Sequence, residues 1–292
     1  MNIFRRSFLI KLVPFFLLVS FVYILPSGSA TSVSADIIKK QPTIGEYFDG
    51  EEFTYNIGFW WFKKAATGKI GIHRLSRGNY KITLQAETMG LIGFITKYRK
   101  DIYTTYVEEW EEGRRFRTTR VEKIIHIGDK VREGYTIVDY NKRTYRWKSW
   151  GNEQEGKEIE EPLPVSGYYD DPLTGFYNFR FGVYGHIASG KEFNVPTFPK
   201  KNVSTIYVRI ATDGEKAARI NPDPAEIDYL ADIVIDKDLF GSQTGKLEVR
   251  FTKELIPIQA TAKDLILFGD VRGTLIEMTS SMGFRKAVDG RE

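Results

Sequence analysis

From Glu51 to Met278 one pattern keeps returning: short runs in which apolar and polar residues alternate, cut by turn residues. Phe53, Tyr55, Ile57 and Phe59 alternate with Thr54, Asn56 and Gly58. That period of two places one set of side chains on one face of a half-buried strand. Ala66, Gly68, Ile70 and Ile72 continue it after a break at Lys63 and Lys64. Ser76-Arg77-Gly78-Asn79 has turn chemistry, and Tyr80, Ile82, Leu84 and Ala86 resume the alternation. Further runs lie at 101–109, 115–127, 131–138 and 143–150, with Glu112-Gly113 and Gly128-Asp129 as turns. Tyr145 and Trp147 share one face of the last run and Arg146 and Lys148 the other. Beyond residue 190 the pattern returns in six more stretches, the last at 269–278.

Only one segment breaks convincingly into helical spacing. Asp170-Asp171-Pro172 supplies an N-cap and a proline suited to the first turn. Leu173, Phe176, Tyr177 and Phe181 follow on one apolar face, and Gly182 or Gly185 ends the run. Met89–Ile95 is apolar and punctuated by Gly90 and Gly93, which suits a short helix or a loop. No regular strand–helix alternation appears, so a parallel sheet is not expected. The fold expected is therefore mainly β. A curved antiparallel sheet or open barrel of about a dozen strands closes around one short central helix.

The first 35 residues have a different character. Arg5, Arg6 and Lys11 precede an apolar run, Leu12–Leu25, and small residues lead to Val33-Ser34-Ala35. A basic start, a short apolar run and a small-x-small site mark a secretory signal peptide. The run is shorter than the roughly 20 residues that span a bilayer. The expected organisation is a signal peptide at 1–35 and a linker at 36–48. A single β-rich domain follows at 49–280, then a loose tail at 281–292. A periplasmic location follows, with no transmembrane segment once the signal is removed.

Composition then limits the partners. The chain carries 42 Lys and Arg against 38 Asp and Glu, for a net charge of +4. The signal region removes three bases and no acid, which leaves the mature chain near neutral. Such a balance argues against a nucleic-acid partner and against strong overall attraction to anionic lipid. There is no cysteine, so neither disulfides nor a lipidated cysteine can occur.

Several motifs resemble the exported bacterial proteins of domain-of-unknown-function family 3108. The opening Gly50-Glu51-Glu52-Phe53-Thr54-Tyr55-Asn56-Ile57 and the step Ala65-Ala66-Thr67-Gly68 are similar to that family's start. Asp171-Pro172-Leu173-Thr174-Gly175-Phe176-Tyr177 resembles its central motif, and Gly190-Lys191-Glu192-Phe193 and Ile256-Pro257-Ile258 follow in order. The resemblance covers about residues 45–280. It implies an envelope location and a mainly β domain, and it carries no catalytic residue with it. Trp60-Trp61-Phe62 is more aromatic than the resemblance leads one to expect.

The residues suggest binding rather than catalysis. His73, His126 and His186 fall in no metal-ligand spacing, and no thiol accompanies them. A hydrolase would draw on His186, on Asp170 or Asp171, and on Ser166 or Ser189, but no Gly-x-Ser-x-Gly elbow supports it. Neither a catalytic group, a metal nor a cofactor is expected. Glu108–Glu112 and Arg114–Arg120 read as a hairpin with cross-strand ion pairs. The aromatic and aliphatic set Trp60, Trp61, Leu91, Phe94, Trp147, Phe176, Tyr177 and Phe181 is the candidate ligand site. It would line a cavity between helix and sheet, with Met89–Ile95 as an apolar lip. The function expected is a non-enzymatic binder or carrier of an apolar or amphipathic molecule, a lipid or lipid-linked glycan. The alternative is an interaction module of an envelope assembly that meets a protein partner. Intact mass of the exported protein is expected to place its first residue at Asp36. A mass that includes residues 1–35 would exclude the cleaved signal.

Overall fold

The computed structural model describes residues 41–151, 156–163, 168–200, 203–220, 227–237, 242–266, 268–280 and 286–287. The expected signal peptide, its expected cleavage site and most of the expected tail lie outside the described residues. Among the described residues the chain forms fifteen strands and four helices. The first eight strands form a meander: β1 (Glu52–Phe59), β2 (Phe62–Ser76), β3 (Asn79–Thr88), β4 (Lys100–Trp110), β5 (Arg115–Ile127), β6 (Lys130–Asp139), β7 (Thr144–Gly151) and β8 (Ile159–Pro162). A second meander holds β9 (Glu192–Lys200), β10 (Val203–Ile210), β11 (Tyr229–Val234), β12 (Lys246–Phe251), β13 (Pro257–Leu265) and β14 (Gly269–Thr279). The short β15 (Lys286–Ala287) pairs with β14. The helices are α1 (Ile44–Phe48), α2 (Gly90–Ile95), α3 (Pro172–Phe181) and α4 (Asp213–Arg219).

Every ladder is antiparallel, and β1 joins the meanders by pairing with β14, Phe53 opposite Met278 and Phe59 opposite Val271. The result is one continuous sheet with β8 and β9 at its edges. The edges share no ladder among the described residues, so the sheet is barrel-like but open. Side chains meet across the seam instead. Phe198 of β9 lies 5.9 Å from Tyr145 of β7 and 6.3 Å from Tyr169, ring centre to ring centre. The Asp170 amide donates to the Pro196 carbonyl at 2.9 Å, which fastens the chain entering α3 to β9. Pro196 and Pro199 on β9, and Glu160, Glu161 and Pro162 on the four-residue β8, suit edges that resist further strand pairing.

α3 occupies the concave face. Leu173, Tyr177 and Phe181 pack with Ile72, Ile82, Val107 and Phe116 of the first meander. Phe179 packs with Phe193, Val208 and Phe251 of the second. Phe176 reaches both groups and also Phe53 and Leu275 at the β1–β14 junction. The single apolar face expected from sequence is thus an understatement, because a helix wrapped by a sheet is buried on several sides. Thr174, Asn178 and Arg180 are buried with it. The C-terminus is as expected: Gly182 takes φ +84° and its amide closes onto Asn178 and Phe179.

Three segments differ from their sequence reading. Residues 44–48, read as linker, form α1. Thr43 and Glu46 make a reciprocal capping box, and Ile44 and Phe48 are buried against Tyr80 and Phe116. The segment is too short to show helical periodicity, so only tertiary contact defines it. Ile159–Pro162, which shows no strand alternation in the sequence, pairs with β7. Lys286–Ala287, read as tail, pairs with β14. Gly45 carries the seating of α1: a β-carbon there would lie 2.1 Å from the Tyr80 ring. Gly45→Ala is expected to cost about 1–3 kcal/mol in a urea titration, whereas a true linker would tolerate it without change.

Candidate functional site

The eight residues expected to line one cavity fall into three places. Phe176, Tyr177 and Phe181 are core; the Tyr177 ring is fully buried and edges onto Phe48 at 5.1 Å. Trp147 packs half-buried at the seam, against Val138, Tyr145, Leu163 and Tyr169. Trp60, Trp61, Leu91 and Phe94 are exposed at one end of the sheet. The single cavity is corrected accordingly. A helix carrying four large aromatic rings fills the concavity it was expected to cap.

The exposed group is built on a small buried base. Phe59 and Phe62 flank the two-residue β1–β2 turn, and Phe268 lies in the β13–β14 connection, 4.9 Å from Phe59. Ala65 and Ile92 complete the base with Val271. The Met89 amide donates to the Ala65 carbonyl at 2.8 Å, and the Thr96 hydroxyl donates to that of Thr88 at 2.8 Å, which pins α2 beside β2. Ile92 and Gly93 face the base, so the remaining side chains of this all-apolar helix point away. Above the base stands a crest. Trp60 is 64% exposed, Trp61 76%, Leu91 63%, Phe94 71%, Ile95 65%, Tyr98 58% and Ile266 55%. These seven come from three neighbouring connections on the same end of the sheet.

The local backbone makes the choice of residues notable. A two-residue hairpin turn favours Gly, Asn or Asp where φ is positive, yet Trp60 sits at φ +49°. Lys97 and Tyr98, which close α2, take φ +56° and +50°. A left-handed conformation is costly for bulky side chains, and Trp60 recovers little by packing because most of it is in water.

A second constellation lies under α3. Asp171 caps the helix through the Leu173 amide at 2.9 Å. It also accepts hydroxyl hydrogen bonds from Thr105 and Thr118 at 2.8 Å and from Thr174 at 2.5 Å. Asp170 is buried among Arg115, Asn178 and Tyr184, all of which donate to it; the Arg115 contact is 3.2 Å. Burial raises its carboxyl above the ordinary value of 3.8, and Arg115 opposes that rise. Asn178 clamps the Phe116 backbone, accepting from its amide at 2.8 Å and donating to its carbonyl at 2.9 Å. Arg180 grips Glu51 with two bonds of 2.5 and 2.9 Å. These groups bond to one another and fasten the helix to the sheet, with Asp170 Oδ1 and Arg115 Nε left without a hydrogen-bond partner among the described residues. Capping was legible for Asp171; its partners Thr105 and Thr118 were not, because they come from β4 and β5.

The histidines and the remaining polar candidates do not converge. His73 and His186 are exposed, and Lys191 donates to the His186 carbonyl. Ser189 accepts from the Asp213 amide, and Ser166 lies outside the described residues. No group of three metal-ligating side chains occurs among the described residues. The expected ion-pair hairpin is present: Arg117 meets Glu108 at 2.5 Å and stacks 3.5 Å from the centre of the Trp110 ring. Arg115 departs from it and turns inward to Asp170. A cleft of about 590 Å³ lies at the opposite end of the sheet from the crest, lined by Thr43, Arg77, Gly78 and the turn Glu109–Gly113. No described helix is long and apolar enough to cross a membrane.

No family model matches the chain, and no curated protein matches it. Among solved structures, the chain is similar to a β-barrel-like protein of domain of unknown function 1849 from Brucella abortus. The identity is 10% and the TM-score 0.40, with 80% of this chain and 98% of that chain covered. It is also similar to a hypothetical protein from Chlamydia trachomatis, at 11% identity and a TM-score of 0.31, covering 82% of this chain and 93% of that chain.

Folding raises the pKa of Asp170. Its contribution to stability is therefore full below about pH 3.8 and is lost as pH climbs through the raised value. Asp170→Asn lacks that loss. The urea midpoint of the parent, measured relative to the variant, is expected to fall as pH rises from about 4 to about 7. A relative midpoint that climbs over the same range would reverse the assigned direction.

Proposed function

We propose that the protein is an exported, non-enzymatic binding protein of the cell envelope that engages an apolar or amphipathic molecule of the lipid class through the crest. The exposed crest carries this reading. Single exposed apolar side chains are ordinary on a protein surface, whereas a contiguous group of this size marks an interaction site. Burying a large side chain fully is worth about 1.5–3 kcal/mol, so engagement of several together gives useful affinity. Export and the resemblance to family 3108 belong to the same reading and rest on the N-terminal signal pattern and the ordered motifs. The inner aromatic residues are not part of the binding surface, since they are occupied in packing.

The alternative, a module that meets a protein partner along an open strand edge, has less support. The prolines and acids of β8 and β9, and the Asp170–Pro196 bond, all act against strand addition. A hydrolytic reading also loses support, because Asp170 and Asp171 are committed to α3.

The test is tryptophan emission during titration with dodecylphosphocholine micelles. The parent is expected to shift to shorter wavelength as Trp60 and Trp61 leave water, and Trp60→Ser/Trp61→Ser to lose the shift. An unshifted parent, or a shift retained in the double variant, would refute lipid engagement by the crest.

A further inference from the structure

We infer that the occupant of the crest is the surface of an anionic phospholipid bilayer, into which Trp60, Trp61, Leu91, Phe94 and Ile95 insert side by side. The inference rests on the function proposed above and names the partner.

Shape is the first argument. The crest stands at the tips of the β1–β2 turn, α2 and the β13–β14 connection, over a base already filled by Phe59, Phe62, Ile92 and Phe268. A single lipid molecule would need a groove, and the space beneath the crest is taken. A planar apolar medium can cover three neighbouring tips at once. The residue types agree: Trp and Tyr favour the interface between headgroups and acyl chains, with Leu, Ile and Phe reaching deeper.

Charge is the second argument. Lys63 and Lys64 follow the Trp pair directly and Lys97 follows α2; all three are exposed. None has a carboxylate partner among the described residues. The neighbouring bases do: Arg99 is held by Asp101, Lys100 by Glu87 and Lys263 by Asp270. Asp264 also lies at this end, so the excess of positive charge is small and local. Near-neutrality of the whole chain does not oppose it, because attraction to headgroups falls off within about one Debye length, roughly 8–10 Å.

Backbone geometry is the third argument. Trp60 occupies a left-handed turn position where glycine is the low-cost residue, and the fold gains little packing from it. A role outside the fold accounts for a tryptophan there.

Sedimentation of the full-length mature protein with large vesicles tests this. One set is pure phosphatidylcholine and the other contains phosphatidylglycerol. Binding is expected to the second set and to weaken as salt is raised. Trp60→Gly/Trp61→Ser is expected to reduce binding at least tenfold while its melting temperature stays unchanged or rises. Lys63→Gln/Lys64→Gln/Lys97→Gln is expected to lose roughly fivefold per lysine on anionic vesicles and nothing on neutral ones. Micelle binding without vesicle binding would overturn the bilayer inference and leave the function standing; failure of both would remove the function too. Equal binding to both vesicle sets would overturn the anionic part. A dimer in lipid-free solution that the tryptophan variant dissociates would assign the crest to a second copy of the chain and overturn the inference.

Discussion

A long sheet that curves on itself needs something inside it, and here the filling is α3, held at its N-terminus by one buried carboxylate. Asp171 collects three threonine hydroxyls and a helix amide. A buried charge without such partners would cost several kcal/mol. With them it becomes a fixed point, since moving the helix along the sheet would strip the bonds from Thr105 of β4 and Thr118 of β5 together. Asn178 adds a second fixed point about two turns further along the helix by clamping the Phe116 backbone. Arg180 adds a third through Glu51, at the start of β1. Apolar packing supplies the bulk of the stabilisation, but packing alone is tolerant of position. The polar bonds set the register of helix on sheet.

That register decides which aromatic residues remain available. Once α3 is seated, Phe176, Tyr177, Phe179 and Phe181 face three sets of neighbours and leave the concavity filled. The same seating draws Asp170 onto β9 through Pro196 and closes the seam with side chains rather than a ladder. The interior is therefore structural, and the surface able to do something else is the end of the sheet where the crest stands. The helix-filled interior and the exposed crest are separated in space, so changes to the exposed side chains at the tips are free of the demands of that core.

Much of the architecture was readable in one dimension because its cause is local. Alternation in β1 to β7, the turn residues between them and the Asp171-Pro172 start of α3 each reflect a property of a few adjacent residues. The elements that were missed have distant causes. α1 is too short to reveal itself and exists because Ile44 and Phe48 find Tyr80 and Phe116. β8 lacks alternation and exists because β7 offers it an edge. The candidate site was half legible for the same reason. Trp60, Trp61, Leu91 and Phe94 could be singled out as aromatic and apolar, but Tyr177 and Phe181 belong to the same chemical type.

The sequence by itself determined that this chain makes antiparallel strands around a capped helix, because alternation and capping act between near neighbours. It also determined that no disulfide assists, since there is no cysteine. Only the tertiary structure decided which face of each aromatic residue meets water. Burial depends on what other segments bring to the same place, and that information is spread over residues as far apart as Glu51 and Arg180.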